Sequence, residues 1–212
     1  MDVATKSSPS YERILSAATE LFAIHGYDGV TTRQIAAETG LNISTIHHHV
    51  GSKRDLYLKV IESLYAKEER LVDAVLSEMS DAVVQDRTRF REALVALIGG
   101  LLDFAQGNPA RQRLYIRRWL DPKDELQQRE AELTLRLYRR LSRVLKRGQQ
   151  TGVVREHVDI GYFLRSADWM IFCYFTAGAF SWTSLRAEPG DRKSLERFKA
   201  HLCEYTQKML EN

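Results

Sequence analysis

An all-α fold is what this sequence predicts, on three observations. Apolar residues recur at spacings of three and four along most of the 212-residue chain. Almost no stretch alternates apolar and polar residues with the period of a strand. Proline, which breaks helices, occurs only four times.

The elements follow from caps and stripes. Ser8-Pro9 reads as an N-cap with proline in the first turn. Ile14, Leu15, Ala18, Leu21 and Phe22 then form one apolar stripe that stops at Gly26. Thr31-x-x-Gln34 is a capping box opening a second, short helix, and Gly40 closes it. Asn42 can cap a third helix, Ile43 to Val50. Ser52-x-x-Asp55 repeats the capping-box logic and opens a longer helix reaching about Met79. Four or five longer helices should follow, at about 86–106, 109–120, 123–149, 158–184 and 190–211. Gly99-Gly100, inside one of them, implies close packing or a bend. The natural division falls in the helix beginning near Lys53, giving residues 1–54 as one domain and 55–212 as the other.

Composition narrows the class. With 44% hydrophobic and 28% charged residues, the chain is globular in type. Arg165 and Asp168 interrupt the most apolar segment, so no membrane span is expected. The polar first ten residues carry no signal core, and the cytoplasm is the expected compartment. Cys173 and Cys203 form no metal motif and are expected to be buried thiols. The net charge of +3 is unevenly spread. Residues 1–55 hold five basic side chains against six acids, whereas 108–156 hold thirteen against six. Whatever the N-terminal part binds, it does not bind by bulk charge.

Two short helices joined by a tight glycine turn, Thr31–Thr39 and Gly40–Val50, form a candidate helix-turn-helix. Ile35, Ala36, Leu41, Ile46 and Val50 would bury its inner face. Ile43, Ser44, Thr45, His47, His48 and His49 would then face outward, with hydroxyls and imidazoles for base edges and Ile43 for a thymine methyl. The helix starts at Thr31 and Ser52 offer N–H groups and a positive dipole end to phosphate.

At these positions the residues resemble a family. Ile14-Leu15-x-Ala17-Ala18-x-x-Leu21-Phe22-x-x-x-Gly26-Tyr27 is similar to the first helix of TetR-family transcriptional regulators. So is Thr31-x-x-x-Ile35-Ala36-x-x-x-Gly40-Leu41-Asn42, followed by Ser44-Thr45-Ile46-x-x-His49-Val50-x-Ser52-Lys53-x-x-Leu56-Tyr57. Gly148-x-x-x-Gly152-Val153-Val154-Arg155-x-x-Val158-Asp159 resembles a turn between late helices of that family. The resemblance implies a three-helix DNA-binding head and a larger antiparallel helical bundle for effector binding and dimerisation. It implies a ligand-responsive regulator, a repressor released from a palindromic operator, with no cofactor. By position, Thr45 is where the family contacts DNA and Lys53 where it contacts phosphate. His47 stands where the family usually has tyrosine, and Val50 where phenylalanine is common. The residues expected at DNA are Thr31, Arg33, Asn42, Ile43, Ser44, Thr45, His47, His48 and Lys53. A helical protein-interaction module and a small helical enzyme are the alternatives, and the second lacks any nucleophile motif, phosphate loop or metal-ligand cluster.

Further expectations concern the histidine run and the body. Successive helical residues point ~100° apart, so His47, His48 and His49 cannot share one metal ion. The basic block admits an anion-binding wall or a solvated face, with Arg136, Arg139, Arg140, Arg143 and Arg147 opposite the stripe Leu133, Leu137, Leu141, Val144 and Leu145. Arg165 and Asp168 either pair or line a cavity, because charges in an apolar helix need partners. An effector cavity is expected among Phe104, Tyr115, Trp119, Tyr138, Arg165, Asp168, Trp169 and Phe172, for a flat hydrophobic or aromatic ligand with an acid group for arginine. Leu195, Phe198, Leu202, Tyr205 and Met209, spaced three and four apart, form an expected homodimer seam.

Overall fold

The computed structural model describes residues 8–120, 124–178 and 191–210, and of residues 118, 119, 124 and 125 the backbone alone. Among the described residues the chain is helical throughout, with no strand.

The first three helices are short and sharply capped. Helix α1, Pro9–His25, starts where Ser8 Oγ accepts from the Tyr11 N–H at 3.2 Å, with proline in the first turn as expected. Helix α2, Thr32–Thr39, opens on the full Thr31/Gln34 capping box and ends at Gly40, whose φ of 63° lies in the left-handed region where glycine costs nothing. Helix α3, Ile43–Val50, is capped by Asn42, whose Oδ1 accepts from the Thr45 N–H at 2.7 Å. Helix α4, Lys53–Glu78, opens on the Ser52/Asp55 box.

Their inner stripes form one core. Ile14, Ala18, Phe22, Val30, Ile35 and Ile46 are each fully buried. Tyr57 of α4 meets Phe22 edge-on at 5.0 Å and Tyr27 at 5.2 Å, locking α4 to α1. Val50 is buried in the same core, so the smaller side chain still fills its place.

A helix the sequence did not suggest, α5 (Asp81–Gln85), follows the break at Met79. Ser80 caps it, and Asp86 then both ends α5 and caps α6 (Arg87–Gly107), accepting from the N–H groups of Thr88 and Arg89. Helix α7 spans Pro109–Leu120 and α8 spans Asp124–Thr151. Helix α9, Ile160–Ala177, stops at Gly178, whose φ is 92°. Its expected extension to 184 lies outside the described residues, as do 179–190. Helix α10, Arg192–Leu210, closes the bundle. The glycine pair in α6 is a close approach: a Cβ on Gly100 would lie 3.1 Å from Leu71 Cδ1 of α4.

The basic face of α8 is part paired and part solvated, with Arg139 and Arg143 exposed. Arg129 pairs with Glu62, Arg136 with Glu69, Arg140 with Asp73 and Arg147 with Asp81. The first three pairs share a sequence separation of 67, so α4 and α8 run parallel and in fixed register. Each such half-exposed pair is worth only ~0–1 kcal/mol, so the ladder specifies alignment more than stability. The stabilising contact lies beneath it, where Leu137 and Leu141 bury against Val72.

Cys173 is exposed and Cys203 half-buried, which corrects the expectation of two buried thiols. Cys173 lies on the outer face of α9, the side turned away from Phe172 and Tyr174, which are buried. No helix among the described residues is long and apolar enough to cross a membrane.

Candidate functional site

Helix α3 presents a defined outer face because its inner one is fully spent. Ile46 and Val50 are buried, while Asn42, Ile43, Ser44, His47 and His48 are exposed and Thr45 is half-buried. The Ser44 and Thr45 hydroxyls both donate to Asn42 Oδ1 at 2.8 Å. Their free lone pairs therefore point outward as acceptors, suited to the amino groups of adenine or cytosine in a major groove. Lys59 Nζ donates to the Val50 carbonyl at 3.2 Å and ties the end of α3 to α4.

The phosphate side differs from the expectation in one respect. The N–H of Thr31 donates to Gln34 Oε1 and that of Ser52 to Asp55 Oδ2, so neither is left for a phosphate. These helix starts offer instead the N–H groups of their first two helical residues, their dipoles and the flanking Arg33, exposed, and Lys53, half-buried. The Lys53 ammonium lies 4.4 Å from the centre of the Tyr27 ring, which holds it at the edge of the head. The Ser52 hydroxyl and N–H hold the Asp55 carboxyl below its ordinary value. His47 Nδ1 lies 2.9 Å from the Gly51 carbonyl and must donate to it. A neutral His47 thus offers only an acceptor at Nε2, and only the protonated ring can donate to a phosphate.

The body holds a cavity with about 100 Å³ of free space among α4, α6, α7, α8, α9 and α10. Most of its wall is leucine, isoleucine and valine. One end is polar: Glu68, Arg111, Gln112, Tyr138 and Asp168 meet there beside Phe104. Arg111 and Glu68 form a buried ion pair. Burial raises the Glu68 carboxyl above its ordinary value even beside Arg111. Burial opposes the Arg111 charge, but Glu68, Tyr65 and Asp168 together outweigh it and raise its pKa. The Tyr138 hydroxyl donates to Asp168 at 3.0 Å, and burial with the Asp168 charge pushes that phenol up.

Of the expected wall, Phe104, Tyr138 and Asp168 line the cavity. Tyr115, Arg165, Trp169 and Phe172 instead build an adjoining cluster. There Arg165 donates to the Tyr115 hydroxyl at 3.1 Å and lies 5.5 Å from the Trp169 ring, and Tyr115 meets Phe172 at 4.9 Å. Arg165 and Asp168 thus meet at the Tyr138 hydroxyl on α8, which bonds both, and Arg165 also reaches Tyr115 on α7. The Trp119 side chain lies outside the described residues. Sequence reasoning missed Glu68, Arg111 and Gln112. Glu68 had left a signal, since it interrupts the buried stripe Ile61, Leu64, Tyr65, Val72 of α4.

Helix α7 joins cavity to head. Its Arg111 and Gln112 line the polar end, and Arg117 reaches α1, donating to the Ala23 carbonyl at 3.0 Å and to that of Ile24. Arg117→Ala should remove both bonds at a partly exposed site and cost ~1 kcal/mol, a fall of about 2–4 °C in Tm. Thermal denaturation reads it, and an unchanged Tm would show that Arg117 does not hold α1.

The expected dimer seam divides. Met209 is exposed, and Leu195, Phe198 and Tyr205 are half-buried. Phe198 stacks on Tyr174 at 4.3 Å and Tyr205 on Phe163 at 6.2 Å. Leu202 is fully buried against Ile98 and Leu102 of its own protomer, and this corrects its place in the seam: it has no surface left for a partner.

A model of the bacterial regulatory proteins of the tetR family matches residues 14–60, and a model of the tetracyclin repressor-like C-terminal domain matches residues 91–205. The HTH-type transcriptional repressor AcnR of Corynebacterium efficiens is 34% identical over 93 residues, covering 42% of this chain and 50% of that one. The chain thus spans about half the length of the curated relatives it first matches. Among solved structures, the transcriptional regulator FadR from Bacillus subtilis, in complex with stearoyl-CoA, superposes with a TM-score of 0.71 at 18% identity, over 94% of this chain and 98% of that one. The fatty acid degradation regulator FadR from Bacillus halodurans gives 0.70 at 20% identity, over 94% and 97%. The superpositions establish a shared fold, and the two family models take in the head and most of the body: this chain belongs to the TetR family of regulatory proteins.

Proposed function

We propose that the chain is a ligand-responsive transcriptional repressor, a cytoplasmic homodimer released from a near-palindromic operator by a small molecule. Residues 1–54 would read DNA, and 55–212 would bind the ligand and dimerise. One observation carries the reading: α4 and α7 both run from the polar end of the body cavity to the head that displays the polar face of α3. A ligand that shifts either helix must also move α3. Support comes from relatives named as repressors and from a structural neighbour that holds stearoyl-CoA. Physically, the ligand must prefer the geometry that does not fit DNA, and linkage then requires DNA to weaken ligand binding by the same factor.

In a twofold dimer the two α3 helices would enter successive major grooves about 34 Å apart. Footprinting on the intergenic DNA flanking the gene tests the reading, and no protection at low salt would remove it. Two variants separate roles within the head. Thr45→Ala should cost ~1–3 kcal/mol of discrimination at the contacted base pair. Lys53→Ala should weaken binding on all sequences alike and lower the salt slope by about 1. Titrations at several salt concentrations measure both, and a sequence-dependent loss at Lys53 would contradict its assignment to phosphate.

A further inference from the structure

Two atoms at the polar end of the cavity have nothing to bond. Arg111 Nε and Gln112 Oε1 are buried and have no hydrogen-bond partner among the described residues. Gln112 is only 3% exposed, and both residues line the cavity. Leaving a buried donor and a buried acceptor unmade costs the full desolvation of each. Polar groups that converge unpaired on an otherwise apolar cavity are the pattern of a site awaiting its ligand.

The charges around them restrict what that ligand carries. The Arg111 charge is already taken by Glu68. Asp168 adds a second carboxylate, which accepts from the Tyr138 hydroxyl. Arg165 of α9 bonds Tyr138 and Tyr115 from outside the cavity lining, and its charge offsets that of Asp168. The polar end is therefore not positive, and an anionic head would meet Glu68 and Asp168. An ammonium fails for another reason: it cannot accept from Arg111 Nε–H. The head that fits offers an acceptor and a donor side by side and no charge. Such a head also suits the Gln112 amide in either of its two orientations.

The remainder of the cavity fixes the body of the ligand. Its wall on α6 runs from Leu94 to Phe104, ~15 Å along the helix axis. Leu94, Leu97, Ile98 and Leu101 of α6 face Leu137 and Leu141 of α8 and Leu164 of α9 along that length, which suits an extended alkyl chain. Met79, Val144, Leu145 and Phe163 line its far end, and Thr206 of α10, whose buried hydroxyl has no partner among the described residues, adds one further polar atom to the wall.

We propose that this cavity selects a slender aliphatic chain ending in a neutral carboxamide or hydroxyl, held by Arg111 Nε and Gln112, and rejects the matching carboxylate. The proposal rests on the cavity being the effector site and replaces the flat, acidic effector expected from sequence.

The test uses the purified full-length protein at pH 8 and four probes of one chain length: decanamide, decanol, decanoate and decylammonium. Calorimetric titration should give one site per protomer for decanamide and decanol, with decanoate and decylammonium at least about tenfold weaker. Gln112→Leu should weaken decanamide by about tenfold. The same variant should raise Tm by about 2–4 °C, because it deletes an unpaired buried amide. A merely structural glutamine would not couple a gain in stability to a loss of affinity. Should that variant fail to fold, the wild-type ranking of the four probes decides alone. Decanoate binding as tightly as decanamide, or none of the four binding, overturns the proposal. Operator titrations keep it separate from the regulator reading. Decanamide binding that leaves operator affinity unchanged removes that reading but not this one. Release by decanoate and not by decanamide does the reverse.

Discussion

Glu68→Ala should lower the unfolding free energy by about 3–5 kcal/mol, because it strands Arg111 as an uncompensated buried charge. Glu68 is 6% exposed, and the Arg111 side chain is 11% exposed. At that depth solvent cannot take the place of the lost carboxylate. Arg111 also lies over the Tyr65 ring at 5.3 Å and near the Phe104 ring at 5.9 Å, contacts that hold the guanidinium in place when its partner is gone. The expected fall in Tm is on the order of 10 °C. The double variant Glu68→Leu with Arg111→Met should recover most of the loss, since two apolar side chains of similar volume carry no desolvation cost. Chemical denaturation of the two single variants and the double variant closes the cycle. A loss below ~1 kcal/mol at Glu68 would show that the pair is solvated and the end of the cavity open.

The head and the body were legible to different degrees, for a physical reason. Caps, capping boxes and terminating glycines act within four residues, so Ser8, Thr31, Gly40, Asn42 and Ser52 marked their helix ends directly. The outward set on α3 followed from the same local period. What joins distant helices was not written locally. The arginines of α8 showed a polar face, yet only the packing of α8 along α4 and α5 reveals that Glu62, Glu69, Asp73 and Asp81 meet them. Arg111 and Gln112 looked like part of a basic block until α7 turned them inward against Glu68. Leu202 fitted the spacing of the α10 seam, but one helix carries two apolar faces. Spacing alone does not say which of them meets its own core.

Cys173→Arg should yield a monomer whose operator affinity is lower by about 10²–10⁴, because a two-site contact becomes a one-site contact. Helix α9 leaves one side uncovered. Tyr162, Ser166 and Cys173 are exposed along one side of the helix, and Tyr162 retains 77% of its surface. Met209 of α10 is exposed beside them. Two open hollows lie between α9 and α10. Met170, Cys173, Tyr174 and Phe198 line one of about 500 Å³, and Tyr162, Phe163, Tyr205 and Met209 line one of about 350 Å³. Knobs such as Tyr162 beside hollows of this kind suit a twofold contact, in which each copy fills the hollow of the other. The Cys173 side chain is small and lines the larger hollow, so an arginine there would place a charge in the contact twice over, once from each copy. Cys173 is exposed in the protomer, and its replacement leaves the internal core intact. The monomer should therefore keep its Tm apart from the contribution of association. Sedimentation gives the assembly state, and titration of a two-half-site operator at fixed salt gives the affinity. A wild type that sediments as a monomer, or an arginine variant that stays dimeric with full affinity, would move the interface off this face.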